Sequence, residues 1–290
     1  MIFVSSACSS KKIITQAIKE LHSQGFTNIE LSGGTRYYEN LHRDLIELKK
    51  TYDLNFLLHN YFPPPRKDFV LNLASLNYLI SRKSIEFCKK SIDISRDLDA
   101  TKVSFHAGFM IDFPASQIGK NIHAIKRYDR DLSFTQLINN CNILLDYAKD
   151  DLDIYLENNV YSRTNAQNFG MICPFFLTNY EDFMEIHNSS SVNLLLDVAH
   201  LKVSSNTLGY SFENQLGKML KISDYIHISE NNGVQDENRP LFPGCSILTS
   251  LSPYDFSGKT CSLEIYDSMK KLRTSYDLAQ KTLYNVLYKE

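Results

Sequence analysis

The sequence predicts an α/β protein built as a single (β/α)8 TIM barrel. Three observations carry that prediction. Eight short apolar runs alternate with longer amphipathic segments along the whole chain, the pattern of parallel strands joined by helices. No linker or low-complexity stretch interrupts the alternation, so residues 1–290 read as one domain. Seven of the eight runs end in, or near, an ionisable residue, and the downstream ends of barrel strands are where such folds place their chemistry.

The first strand is 2–5, followed by a helix over 9–24 that serines open and Gly25 closes. The second, 28–31, contains Glu30 and leads through Gly33-Gly34 to a helix over 37–52. The third, 55–58, runs into His59-Asn60-Tyr61-Phe62 and the prolines Pro63 to Pro65, ahead of a long helical region over 72–97. The fourth, 102–105, ends at His106-Ala107-Gly108, and a helix over 133–149 follows. The fifth, 153–156, meets Glu157-Asn158-Asn159.

Residues 160–176 lack periodicity and read as a long loop, of the kind that carries function or disorder, with a short helix over 179–187 beyond it. The sixth strand, 193–196, is Asn193-Leu194-Leu195-Leu196, continuously apolar as in a strand covered on both faces. It ends at Asp197, with His200 three residues on. Taken alone, Asp197 is better explained as a cap for the next helix than as a ligand. A helix over 212–220, a seventh strand over 225–228 holding His227, and a polar loop over 230–244 come next. The eighth strand, 261–263, precedes Glu264 and a closing helix over 267–288.

Composition narrows the function classes. Hydrophobic residues make up 43% and aromatics 12% of the chain, enough for a substantial core. A net charge of −2 and an isoelectric point near 6.5 give no general attraction to nucleic acid or an anionic membrane. The six cysteines are scattered without a CxxC, which argues against a thiolate zinc site and reads as reduced thiols in a cytoplasmic protein. The apolar start, Met1-Ile2-Phe3-Val4, lacks a leading basic cluster and reads as a strand and not a secretory signal. No run approaches the roughly 18 apolar residues of a membrane span.

Closure of the barrel would gather Glu30, His59, His106, Glu157, Asp197, His200, His227 and Glu264 at one mouth. Unneutralised carboxylates at adjacent buried strand ends repel, and each loses hydration worth several kcal/mol. A divalent cation removes that cost. Glu157, Asp197, His227 and Glu264 offer three carboxylates and one imidazole, an oxygen-rich set suited to Mn²⁺ first, with Mg²⁺, Co²⁺ and Zn²⁺ also compatible.

With these residues at these positions, the chain resembles the xylose isomerase-like barrel superfamily, which includes sugar isomerases and epimerases and the apurinic endonucleases. The resemblance implies a metal held by Glu157, Asp197, His227 and Glu264, with Glu157 and Glu264 also the acid/base pair. By the same resemblance His200 orients the substrate or shuttles a proton, and Glu30 matches a glutamate found after the second strand of the sugar enzymes. Glu30, His59 and His106 are then expected to bind substrate hydroxyls. Tyr61, Phe62, Phe175 and Phe176 are candidates to wall the pocket, and Arg239 is a candidate anion contact or a solvated loop residue.

The expected activity is metal-dependent isomerisation or epimerisation of a sugar or sugar phosphate through an enediolate. The partner is a small carbohydrate, with no membrane and no nucleic acid expected, and association into a homo-oligomer is left open. The apurinic endonuclease pattern is the alternative: His59, His106 and Asp236 fit it, but Asn238 stands where that pattern has a second histidine. Keto-sugar dehydratase chemistry on a related metal barrel is a third reading.

Overall fold

The computed structural model describes residues 1–123, 126–170 and 172–284. Its strands are β1 (Ile2–Ser5), β2 (Asn28–Leu31), β3 (Asn55–Leu58), β4 (Lys102–His106), β5 (Asp153–Glu157), β6 (Asn193–Asp197), β7 (Tyr225–Ile228) and β8 (Thr260–Leu263). They close into one parallel barrel in sequence order, β8 pairing back onto β1. The helices are α1 (Ile14–Ser23), α2 (Leu41–Tyr52), α3 (Tyr78–Asp97), α4 (Arg130–Ala148) and α5 (Arg163–Phe169). They continue with α6 (Tyr180–Ser189), α7 (Val198–Leu208), α8 (Phe212–Ile222), α9 (Ser246–Leu251) and α10 (Met269–Ala279). The fold class read from the sequence is the fold observed. The end of the expected closing helix, 285–288, lies outside the described residues.

Each strand has both faces covered, which explains the continuous apolar runs. Leu194, Leu195 and Leu196 of β6 are all 0% exposed. Outward residues such as Leu194 and Leu196 join the main core between barrel and helices. Inward residues form a separate plug of Phe3, Leu57, Tyr155, Leu195 and Tyr225. Above that plug, the inward positions turn polar.

Helix starts differ from the sequence reading because the strand-to-helix loops are longer than periodicity suggested. α1, α2 and α3 begin four to six residues downstream of the expected positions. For α3 the start is Tyr78, where the Asn77 side chain accepts the Leu79 amide at 3.0 Å. Three helices were not foreseen: α5 inside the 160–176 loop, α7 and α9. α7 is buried along most of its circumference, Val198, Ala199, His200, Leu201, Val203, Ser204 and Ser205 included, so it lacks an amphipathic signature.

The described parts of the loops after β4 and β5 pack against each other. Phe109 bridges Phe175, and Ile111, Ile122, Tyr161 and Phe175 form a third small apolar cluster beneath them. Asn72, fully buried, holds the first of these loops: its side chain donates to the Phe109 and Ile111 carbonyls and accepts the Phe109 amide. Gly108 passes this point at φ +91°, where an added Cβ would lie 3.0 Å from the Ala74 nitrogen and 3.1 Å from Asn72 Oδ1. Gly108→Ala is therefore expected to cost about 1–3 kcal/mol of stability. Urea denaturation reads this directly, and a loss below about 0.5 kcal/mol would contradict the close approach.

Candidate metal centre

Register brings the first pairs together. In the β4–β5 ladder His106 stands beside Glu157, and in the β6–β7 ladder Asp197 stands beside His227. The period of two along a strand turns Tyr225 and His227 of β7 to the same inward side. His59 and Glu264 follow β3 and β8 directly, so they join the same ring.

Glu157 is the hub. Its Oε2 lies 3.3 Å from His59 Nε2 and 3.1 Å from His106 Nδ1, and its Oε1 lies 3.3 Å from His227 Nδ1 and 3.7 Å from His200 Nδ1. His227 Nδ1 is also 3.8 Å from Glu264 Oε2. The expected quartet is thus spread over overlapping triads, His59–Glu157–His227, Glu157–Asp197–His200 and Glu30–His227–Glu264, each with ligand atoms within 4.8 Å of one another.

These groups fit a cation better than they fit each other. Among the described residues, both Glu157 oxygens, His227 Nδ1 and His106 Nδ1 are buried without a hydrogen-bond partner. Buried polar atoms are normally satisfied, so four orphans around one point favour a bound divalent ion as their missing partner.

Asp197 holds two duties at once. Its Oδ1 accepts the His200 backbone amide at 2.7 Å and caps α7, so the capping explanation is true of one oxygen. The other, Oδ2, faces the site 3.9 Å from His200 Nε2. Asn158 locks both partners. Its side chain accepts the Asp197 amide at 2.7 Å and donates to the Asp197 carbonyl at 2.9 Å. The Asn158 carbonyl oxygen lies 2.9 Å from His200 Nδ1, which makes Nδ1 the donor and turns Nε2 outward to Asp236 Oδ2 at 3.3 Å. Sequence reasoning gave Asn158 no role. Its signal was the amide directly after a strand-end carboxylate.

A cavity of about 740 Å³ opens above this ring. His59, His106, Glu157, His200 and Glu264 border it, as does Asp236. Asp197 and His227 lie beneath. Glu30, expected among the hydroxyl-binding residues, is fully buried and off the cavity wall, its Oε2 bonded to His227 Nε2 at 2.8 Å and to the Tyr225 hydroxyl. Of the four candidate wall aromatics, Tyr61 and Phe175 border the cavity, whereas Phe62 and Phe176 are buried in the main core. Arg239 pairs with Glu237 on the surface, and Asn238 borders the cavity while accepting from Ser229 Oγ at 3.2 Å.

Charge at the site follows from burial and crowding. Burial alone would raise Glu157, but the imidazoles of His106, His59, His227 and His200 hold it well below the usual carboxylate range. Burial pushes Glu264 up to about 8 and Asp197 up to about 6, and pushes His59 down to about 4. Burial opposes charge on His200 and His227, yet Asp197 and Asp236 around the first, and Glu30 and Glu264 around the second, raise both well above the ordinary imidazole value.

Above the normal imidazole range, Glu264, His200 and His227 hold protons in the folded metal-free protein that the unfolded chain has released. Metal-free stability therefore falls as pH rises through about 8, whereas the lowered His59 acts only between about 4 and 6.5. Ligation displaces those protons, so the rise in Tm on adding Mn²⁺ is expected to be larger at alkaline than at mildly acidic pH. Equal shifts at both would contradict these proton positions. Differential scanning fluorimetry with chelator-treated protein makes the comparison.

The family model described as xylose isomerase-like TIM barrel matches residues 18–283. The chain belongs to that family. An uncharacterized protein of Methanocaldococcus jannaschii, MJ1614, is 26% identical over 198 residues, covering 67% of this chain and 62% of that protein. Among solved structures, a D-tagatose 3-epimerase-like protein superposes with TM-score 0.73 at 18% identity, over 99% of this chain and 98% of its own. Endonuclease IV from Thermus thermophilus superposes with TM-score 0.62 at 12% identity, over 97% and 99% respectively. At such identities these structures speak to the fold alone.

Among the described residues no helix is long and apolar enough to cross a membrane, and all six cysteines are free thiols.

Proposed function

We propose that this chain is a divalent-metal-dependent sugar isomerase or epimerase that moves a proton on the carbon next to a carbonyl. One observation carries the reading. Of the buried carboxylates around His227, Glu157 and Glu264 border the cavity, while Asp197 and Glu30 lie under it. Two carboxylates approaching one substrate from β5 and β8 can serve as base and acid. The match of fold to a D-tagatose 3-epimerase-like protein agrees with this reading.

The metal would be held by Glu157, Asp197, His227 and Glu264, with Mn²⁺ the first candidate. When bound, it would supply polarisation of the substrate carbonyl and charge stabilisation for the enediolate. Glu157 or Glu264 removes the proton from carbon, and the other returns it. His200, held at Nδ1 by the Asn158 carbonyl, would turn Nε2 from Asp236 to a substrate hydroxyl. His59 and His106 complete the polar floor for the remaining hydroxyls. The apolar wall of Phe109, Phe113 and Phe175 excludes water from the reacting carbon.

Solvent deuterium incorporation into a panel of ketoses and ketose phosphates with added Mn²⁺ tests the reading. Carbon-bound deuterium is expected for at least one substrate, only with metal. Exchange at full rate in both Glu157→Gln and Glu264→Gln would remove the acid/base assignment.

A second reading has its own support. His59 and His106 converge on Glu157 Oε2 at 3.3 and 3.1 Å, and Asp236 meets His200, more ligand groups than one ion needs. That excess suits a multi-metal phosphodiesterase related in fold to endonuclease IV. Clean incision of abasic duplex DNA with Zn²⁺, without deuterium exchange into ketoses, would put this reading first.

A further inference from the structure

We infer that Glu30 is a positioning residue for the metal centre, acting across the barrel through His227 so that Nδ1 alone is presented to the ion. The inference rests on the metal reading above. β7 turns Tyr225 and His227 inward, and β2, which β8 and β1 separate from β7 around the barrel, turns Glu30 toward them. His227 Nε2 lies 2.8 Å from Glu30 Oε2, and the Tyr225 hydroxyl donates to the same oxygen. All three side chains are 0% exposed.

An imidazole has two ring nitrogens, and which one ligates depends on what the other one donates to. With Nε2 tied to a carboxylate, Nδ1 is the nitrogen left over. It lies 3.3 Å from Glu157 and 3.8 Å from Glu264 and has no hydrogen-bond partner. A separation of 2.8 Å is a hydrogen bond and leaves no room for an ion between Nε2 and Glu30.

Tyr225 is fixed in turn. It packs edge-on against Tyr155 with ring centroids 5.3 Å apart, inside the apolar plug of Phe3, Leu57 and Leu195. Its hydroxyl cannot swing to water. Glu30 itself does not border the cavity, so its effect passes through the imidazole and not through substrate. A carboxylate behind a ligating histidine orients the ring and raises its basicity.

The test titrates Co²⁺ into chelator-stripped wild type, Glu30→Gln and Tyr225→Phe, reading the dissociation constant and the visible absorption bands of the bound ion. Glu30→Gln keeps the volume and an acceptor but removes the charge. Its Kd is expected to rise about 10–100-fold with altered bands, while near-ultraviolet circular dichroism stays native. Tyr225→Phe is expected to shift both readings in the same direction by less. Wild-type affinity and spectrum in a folded Glu30→Gln overturn the inference and leave the metal reading standing. Should Glu30→Gln not fold, unchanged affinity and spectrum in Tyr225→Phe overturn it instead. Wild type that binds no Co²⁺ overturns both.

Discussion

Glu157→Gln is expected to lower metal-dependent proton exchange by about 10²–10⁴-fold, the range for loss of a positioned acid or base. Glu157 faces His59, His106, His200 and His227 at once, so the change also removes the charge that ties the two halves of the site together. Glu264→Gln should cut exchange to a similar extent for a different reason and with a different stability signature. Burial raises the Glu264 carboxyl to about 8, so near pH 7 the metal-free protein already carries it mostly protonated. An amide copies that neutral group, and metal-free stability should change by less than about 0.5 kcal/mol. Exchange assays paired with chelator-treated denaturation curves separate the two variants. A Glu264→Gln protein that loses stability in the metal-free state but keeps full exchange would reverse the assignment.

Asp197 offers the second large effect because its two oxygens do different work. Oδ1 caps α7 and Oδ2 faces the site. Asparagine caps helices about as well as aspartate, whereas alanine costs about 1 kcal/mol. Asp197→Asn should therefore keep the metal-free Tm and lose the metal-induced stabilisation, which amounts to about 2.7 kcal/mol at 100 times Kd. Asp197→Ala should lose both. If Asp197→Asn retains the full metal-induced rise, Asp197 is a cap and nothing more.

These expectations rest on features of unequal visibility in the sequence. The eight strands were legible because each is buried on both faces, and unbroken runs such as Leu194-Leu195-Leu196 leave no other economical reading. Ligand candidates were legible for a related reason, since closure in sequence order forces strand ends together. What depended on loop conformation was not. Asp236 was a candidate only through the endonuclease resemblance, since its approach to His200 requires the path of the 230–244 loop, and α7 has too little polar surface to announce itself. Phe62 and Phe176 could not be told from Tyr61 and Phe175 by type, because only the turn geometry decides which ring meets the cavity.

Glu30 shows a different limit. Its place on β2 was readable, but its partner lies on β7, 197 positions further along the chain at His227. Only the width and filling of the barrel bring them within a hydrogen bond. Asn158 likewise acts through a side chain that spans to the neighbouring strand, which no spacing along its own strand reveals.

The most direct test is the anomalous scattering of crystals grown with Mn²⁺ and collected near the manganese edge. A peak bonded directly to Glu157, Asp197, His227 and Glu264 is the expected result. A well-ordered barrel showing no peak among those four side chains, at Mn²⁺ concentrations that support activity, would contradict it.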